Sequence, residues 1–233
     1  MALSFAEVLW PTRCAICDAP GEVLCERCKG ELAFVDYWKS CPRCGAPWGM
    51  YQCTECNALV LQEAGYVRVP YRGLACAVHF DDRSAQVVRV YKDAGERRLA
   101  ADIAYFIASA IPPGWLEGAA ITFVPATRKA HRRRGFDHAE EIARHTAGLL
   151  KAPLVQLLLP PDAHDQRALS RKERFANLGA AVRARRAVHL APPQRVIVVD
   201  DVVTTGATIS AASRALLDAG VGCVYGAAFA RVC

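Results

Sequence analysis

Residues Arg195 to Leu217 read RVIVVDDVVTTGATISAASRALL. Val196-Ile197-Val198-Val199 is a short apolar β-branched run, the pattern of a parallel strand buried on both faces, and it ends at the acid pair Asp200-Asp201. Val202-Val203 follow, then Thr204-Thr205-Gly206-Ala207-Thr208, a loop with no bulky side chain. Beyond it Ile209, Ala212, Leu216 and Ala219 recur at helical spacing, and Gly220 stands where the C′ residue of that helix belongs. Strand, small-residue loop and helix in succession predict an α/β chain built on a parallel sheet.

A loop of this kind presents backbone N–H groups and threonine hydroxyls at the positive end of a helix, which suits a phosphate. Two carboxylates beside a phosphate repel it unless they accept hydrogen bonds from sugar hydroxyls or face a magnesium ion. A ribose 5-phosphate offers both partners. No lysine follows Gly206, so this is not the Gly-Lys-Ser/Thr nucleotide loop. Paired acids at a strand end also occur in phosphoacceptor receiver domains, and a Gly/Thr turn can simply join strand to helix.

The stretch IVVDDVVTTGATI resembles the 5-phosphoribosyl-1-pyrophosphate (PRPP) signature of type I phosphoribosyltransferases. The resemblance implies that Asp200 and Asp201 hold the ribose hydroxyls, and that Thr204, Thr205, Gly206, Ala207 and Thr208 wrap the 5′-phosphate. Acids, loop and helix at fixed spacing favour this reading over the receiver domain.

At 233 residues, 53% hydrophobic and 22% charged, the chain can bury one substantial core and carry a small extra module. The expected boundary falls between 60 and 61. No apolar run is long enough to span a bilayer, and MALSFAEVLWP lacks the basic start and apolar centre of a secretory signal. A cytoplasmic protein without membrane insertion is expected.

Eleven cysteines without an export signal point to metal. Eight form Cys-x-x-Cys pairs: Cys14/Cys17, Cys25/Cys28, Cys41/Cys44 and Cys53/Cys56. Tetrahedral zinc needs four thiolates, so the arithmetic gives two Cys₄ sites in a double zinc ribbon. The simplest assignment joins successive pairs, Cys14, Cys17, Cys25 and Cys28 on one ion and Cys41, Cys44, Cys53 and Cys56 on the other; the spacing alone leaves an interleaved arrangement open. Four thiolates leave no open position, so these ions are structural. Trp48 and Tyr51 lie between the third and fourth pairs, placed either to stack on a base or to cover the ribbon. Cys76, Cys223 and Cys233 read as small hydrophobes or an inert tail.

After the ribbon, Gly65 to Val69 and Leu74 to Phe80 read as two strands joined by a Pro/Gly turn. Helices are expected over Ser84–Asp93 and Glu96–Ala110, with Lys92 at the first one's end, where a lysine simply favours the dipole. Ile121 to Val124 reads as a second buried strand. It is followed by Pro125, Ala126, Thr127 and Arg128, the start of a loop that carries Lys129, Arg132, Arg133 and Arg134 with no acid before Asp137. Ligands of open parallel sheets bind beyond the strands' carboxyl ends, so this cationic loop is expected to meet a pyrophosphate. Asp137 reads as a helix cap with Glu140 three residues on, and Pro153 to Leu159 as a third strand. Between 160 and 195, eight cations including Arg167, Arg171 and Arg174 face three acids. Two basic runs flanking one phosphate pocket point to an anion larger than PRPP alone.

Taken together, the paired ribbons, the Lys92 region, VPATRKAHRRRGFDHA, DQRALSRKERFANLGAA and IVVDDVVTTGATI resemble the ComF family of competence-associated, phosphoribosyltransferase-like proteins, in the family's order. Gln166, Arg174 and Asn177 match its pattern; Asp137-His138 stand where members usually carry Asn-Gln. The resemblance implies a type I phosphoribosyltransferase-like domain over 61–233, PRPP with magnesium as ligand, and single-stranded DNA and competence-machinery proteins as partners. No settled transfer reaction comes with it, and the acids and loop serve two functions equally well. One is handling of single-stranded DNA in natural transformation, gripped by Arg132, Arg133, Arg134, Arg167, Arg171 and Arg174, with Trp48, Tyr66, Tyr71 or Phe80 as stacking surface. The other is a working phosphoribosyltransferase.

Overall fold

The computed structural model describes residues 11–63, 66–161 and 181–232. Its centre is a parallel sheet of β1 (Leu74–His79), β2 (Ala119–Phe123), β3 (Arg195–Val203) and β4 (Cys223–Arg231), in the order β1-β4-β3-β2. The described helices are α1 (Glu26–Gly30), α2 (Ala58–Glu63), α3 (Asp82–Lys92), α4 (Leu99–Ala110), α5 (Arg128–Arg134), α6 (His138–Leu150), α7 (Arg186–Leu190) and α8 (Ala207–Asp218).

The apolar run of β3 sorts by strand alternation. Ile197 and Val199 join one core with α3, α4 and α6, whereas Val196 and Val198 join a second with Ile209, Ala212 and Leu216 of α8. Helices therefore cover both faces, as a parallel sheet requires. β3 continues through the acids: Asp200 lies level with Ala228 and Val203 with Arg231. The valines after the acids keep the strand paired beyond the apolar run that marks it in the sequence.

Two other expectations change, and one strand has no counterpart in the sequence reading. Tyr66 to Val69 is irregular, since Tyr66 and Val69 pack on the second ribbon instead of pairing in the sheet. The run from Pro153 makes only isolated bridges, Leu154 to Ile121 and Leu158 to Ala184. Pro153 has no N–H to donate, and Leu157 N–H is taken by the Thr122 hydroxyl at 3.3 Å, so no regular ladder forms. The central strand β4 carries no pattern that predicts it. Its Gly226-Ala227-Ala228 has low strand propensity, yet close packing selects it: a Cβ on Gly226 would lie 2.7 Å from Leu74 and 2.8 Å from Ile209.

Both ribbons pack directly on this sheet and its helices. Cys14, Leu24, Cys28 and Leu32 share the core of α4 and β1, and Phe34 bridges Val78. On the second ribbon Gly45 adopts φ +67°, and a Cβ there would lie 2.5 Å from the Leu74 carbonyl oxygen. Backbone cannot yield at that distance. Gly45→Ala should therefore cost about 1–3 kcal/mol of stability in urea unfolding, and an unchanged midpoint would show that the seam is looser than this packing implies.

Candidate functional site

The site grows from the carboxyl ends of β2 and β3. Phe123 is level with Val199, so the chain leaving β2 through Pro125 passes beside Asp200 and Asp201. Asp137 fixes that passage: its carboxylate accepts from Ala126 N–H at 2.7 Å and from Ala139 and Glu140 N–H at 3.1 and 3.2 Å. One side chain thus caps α6 and ties the Pro125–Thr127 turn to it. Glu140 closes no capping box; it pairs with Arg144 instead.

The residues after Thr127 form a helix, α5, where the sequence predicts a loop. Thr127 caps it through its hydroxyl, and Gly135 at φ +77° ends it. Helix formation splits the arginine run. Arg128, Arg132 and Arg133 are accessible, while Arg134 turns inward, its guanidinium 3.2 Å from His138 Nδ1. A cleft of about 410 Å³ lies beside Pro125 and Ala126, walled by Arg128, His131, Arg132, Asp137 and Gln156. Arg167, Arg171 and Arg174 lie outside the described residues.

Asp201 is 2% exposed and pairs with Lys92 at the end of α3. Lys92 therefore does more than complement a helix dipole: it neutralises a buried carboxylate. Tyr91, its neighbour, donates to the His138 carbonyl at 2.8 Å and so joins α3 to α6. Asp200 accepts from Asp201 N–H at 2.9 Å. Burial, then the charge of Asp201, pushes Asp200 well above the ordinary carboxyl range. Burial would also raise Asp201, but Lys92 and then His138 hold it well below that range. His138 is pushed down to about 4, by burial first and by Lys92 and Arg134 over the pull of Asp201. A neutral ring at pH 7 can accept the Arg134 hydrogen bond.

Thr204 is exposed, Thr205 and Thr208 are half-buried, and Gly206 at φ +76° starts α8. The Thr205 hydroxyl accepts from Ala207 N–H at 3.3 Å. Gly206 takes a left-handed conformation that L side chains rarely adopt. The structure adds Lys92, His138, Tyr91 and Arg231 to the residues that sequence reasoning places at the site. From the residues alone Lys92 reads as a dipole partner, although its region belongs to the resemblance; His138 stands out only as a departure from the family's motif, and Tyr91 and Arg231 carry no signal.

In the ribbons, Cys14, Cys17, Cys25 and Cys28 gather their sulfurs within 4.8 Å of one another, as do Cys41, Cys44, Cys53 and Cys56. Successive pairs thus share a site. Sulfur separations of 3.5–3.7 Å are far beyond a disulfide and near the ~3.8 Å edge of a tetrahedron with zinc at its centre. The two Cys₄ sets fit two structural zinc ions. Trp48 and Tyr51 stand out from the ribbon: Trp48 is 69% exposed, with Lys39 5.3 Å from its ring centre, and Tyr51 is fully exposed. Tyr71, by contrast, is buried.

Residues 5–61 match the double zinc ribbon domain family. Competence protein F of Haemophilus influenzae is 26% identical over 205 residues, covering 85% of this chain and 86% of that protein. No described helix is long and apolar enough to cross a membrane.

The carboxyl pair gives a signed prediction. A carboxyl raised in the fold stabilises at acid pH and loses that contribution as pH rises through its folded value. Asp200→Asn should therefore gain about 1–2 kcal/mol at pH 8 and nothing at pH 4. Asp201→Asn, which strands Lys92, should lose about 2–4 kcal/mol at neutral pH. Thermal melts across pH check both, and the same shift for the two variants would undo the assignment.

Proposed function

We propose that this chain, which is similar to competence protein F and carries a double zinc ribbon, is a competence-associated protein that binds PRPP, or a related ribose phosphate, at the carboxyl end of its sheet and handles single-stranded DNA on its basic surface. The observation that carries this reading is the contiguity of Asp200, Asp201 and the Thr204–Thr208 turn, ending in α8, with Lys92 and Arg134 alongside.

In this reading the carboxyls of Asp200 and Asp201 accept hydrogen bonds from the ribose 2′ and 3′ hydroxyls. The Thr204, Thr205 and Thr208 hydroxyls and the amides of Gly206 and Ala207 hold the 5′-phosphate, Ala207 N–H exchanging its long bond to the Thr205 hydroxyl for one to the ligand. The Pro125–Arg128 turn, held by Asp137, faces the pyrophosphate. Magnesium enters with the ligand, offsetting the charge of its phosphate oxygens; adjacent carboxyls are oxygen donors of the kind that fit such a complex. Lys92 keeps Asp201 ionised, and therefore an acceptor, at any neutral pH.

Single-stranded DNA needs cations along its backbone and aromatic faces for its bases. Accessible Arg128, Arg132 and Arg133 supply the former, exposed Trp48 and Tyr51 the latter. Tyr71 does not serve as a platform because it is buried.

The cleft beside Pro125 supports a second reading, a phosphoribosyltransferase that seats an acceptor there. The protein would then contribute positioning and electrostatic stabilisation as the pyrophosphate leaves the ribose C1. Labelled PRPP incubated with magnesium and a panel of bases separates the two: released pyrophosphate indicates turnover, and binding without release indicates a binder.

Changing Asp200 and Asp201 together to Asn should abolish PRPP binding in calorimetry while zinc content stays at two per chain. Normal binding by that variant would remove the ribose assignment. Arg132→Ala with Arg133→Ala should weaken DNA binding and flatten its salt dependence by about 0.7 log unit per decade for each phosphate no longer neutralised. An unaltered slope would take α5 out of the DNA surface.

A further inference from the structure

Arg231, at the carboxyl end of β4, is 2% exposed. One guanidinium nitrogen donates to the carbonyls of Val203 at 3.3 Å and Val232 at 2.6 Å, and to that of Thr204. The other lies 3.8 Å from the carboxylate of Glu55. Glu55 stands between Cys53 and Cys56, two members of the second Cys₄ set. A buried guanidinium is tolerated only where its charge and donors are met. Its partners include both the turn proposed to hold a phosphate and the loop that closes a zinc site.

The surrounding packing runs the same way. A cavity of only about 10 Å³ separates Cys44 and Cys56 from Thr205, Gly206 and Ser210, room for roughly one water. The Tyr71 hydroxyl would sit 3.5 Å from a Cβ on Gly206. The first ribbon lies elsewhere: Lys29 pairs with Asp102 at 3.1 Å, Glu31 with Arg83 at 2.6 Å, and Phe34 meets Phe106 at 5.6 Å, all on α3 and α4.

We propose that Arg231 is a positioning residue through which the second zinc site, and not the first, supports the Thr204–Thr208 turn. Loss of zinc at Cys41, Cys44, Cys53 and Cys56 releases Glu55, then Arg231, and the turn loses the anchor on its Thr204 carbonyl. Its affinity for a sugar phosphate falls. This part rests on the reading of that turn as the phosphate site. Coupling between two sites is reciprocal in affinity, so a bound sugar phosphate also tightens zinc binding at the second ribbon and leaves the first unaffected.

The test uses the full-length zinc-loaded chain and Glu55→Gln, which retains all eight thiols. Glu26→Gln, beside Cys25 in the first ribbon, is the control. Hydrogen exchange of residues 204–210, ribose 5-phosphate affinity and zinc release to a chromogenic chelator are measured on each. Glu55→Gln should keep two zinc ions, speed exchange in the turn, and weaken ribose 5-phosphate binding about 5- to 10-fold; Glu26→Gln should match the wild type. Adding Arg231→Lys to Glu55→Gln should change turn exchange little beyond either alone. Unchanged exchange in Glu55→Gln, or equal effects from both ribbons, overturns the proposal. If the wild type does not bind ribose 5-phosphate while Glu55→Gln still loosens the turn, the phosphate reading fails and the support stands. If it binds and Glu55→Gln alters neither exchange nor affinity, the support fails and the phosphate reading stands.

Discussion

Two carboxyls placed side by side at the end of a buried strand are electrostatically unfavourable, and much of the molecule is arranged around that fact. Asp201 is kept charged by Lys92, which α3 delivers to it; Asp200 has no such cation of its own among the described residues and holds its proton more tightly. The position of α3 in turn depends on the reciprocal Asp81–Ser84 cap at its start and on the Tyr91 hydroxyl near its end. A stable protein gains nothing from such a pair. In the proposed function that cost is offset when the ligand's two hydroxyls donate to the pair.

The ribbons answer a different problem. Short cysteine-rich segments bury too little apolar surface to fold alone, and four thiolates on a closed ion supply the missing order. Their outer residues then become ordinary core: Cys14, Leu24, Cys28 and Leu32 pack with helix α4 and β1 as any buried side chain would. On the second ribbon the fit is closer still, since Gly45 lets backbone meet backbone at the start of β1.

What could be read from the chain followed from strong local rules. A continuous β-branched apolar run located β3; helical spacing located α8, whose Ile209, Ala212 and Leu216 are buried together with Ala219 just beyond it; cysteine spacing located both thiolate sets. What escaped depended on partners distant in sequence. β4 is a strand because Gly226 fits under Ile209 and Leu74, a fact about neighbours rather than propensity. Lys92 and Asp201 are 109 positions apart, and no local pattern pairs them. Arg128–Arg134 reads as a loop because charge conceals a short helix that Thr127 and Gly135 delimit. Residues 162–180, with three of the arginines singled out, fall outside the described residues.

The shared core between the first ribbon and α4 bears on how the polypeptide can be divided. Cutting after residue 60 would not liberate a finished sheet domain. It would bare the apolar flank formed by Ala77, Val78, Phe106 and Ile107, which the ribbon's Leu24 and Leu32 help to shield. Such a fragment would tend to self-associate through that flank, so its insolubility would report a missing cover rather than a misfolded sheet.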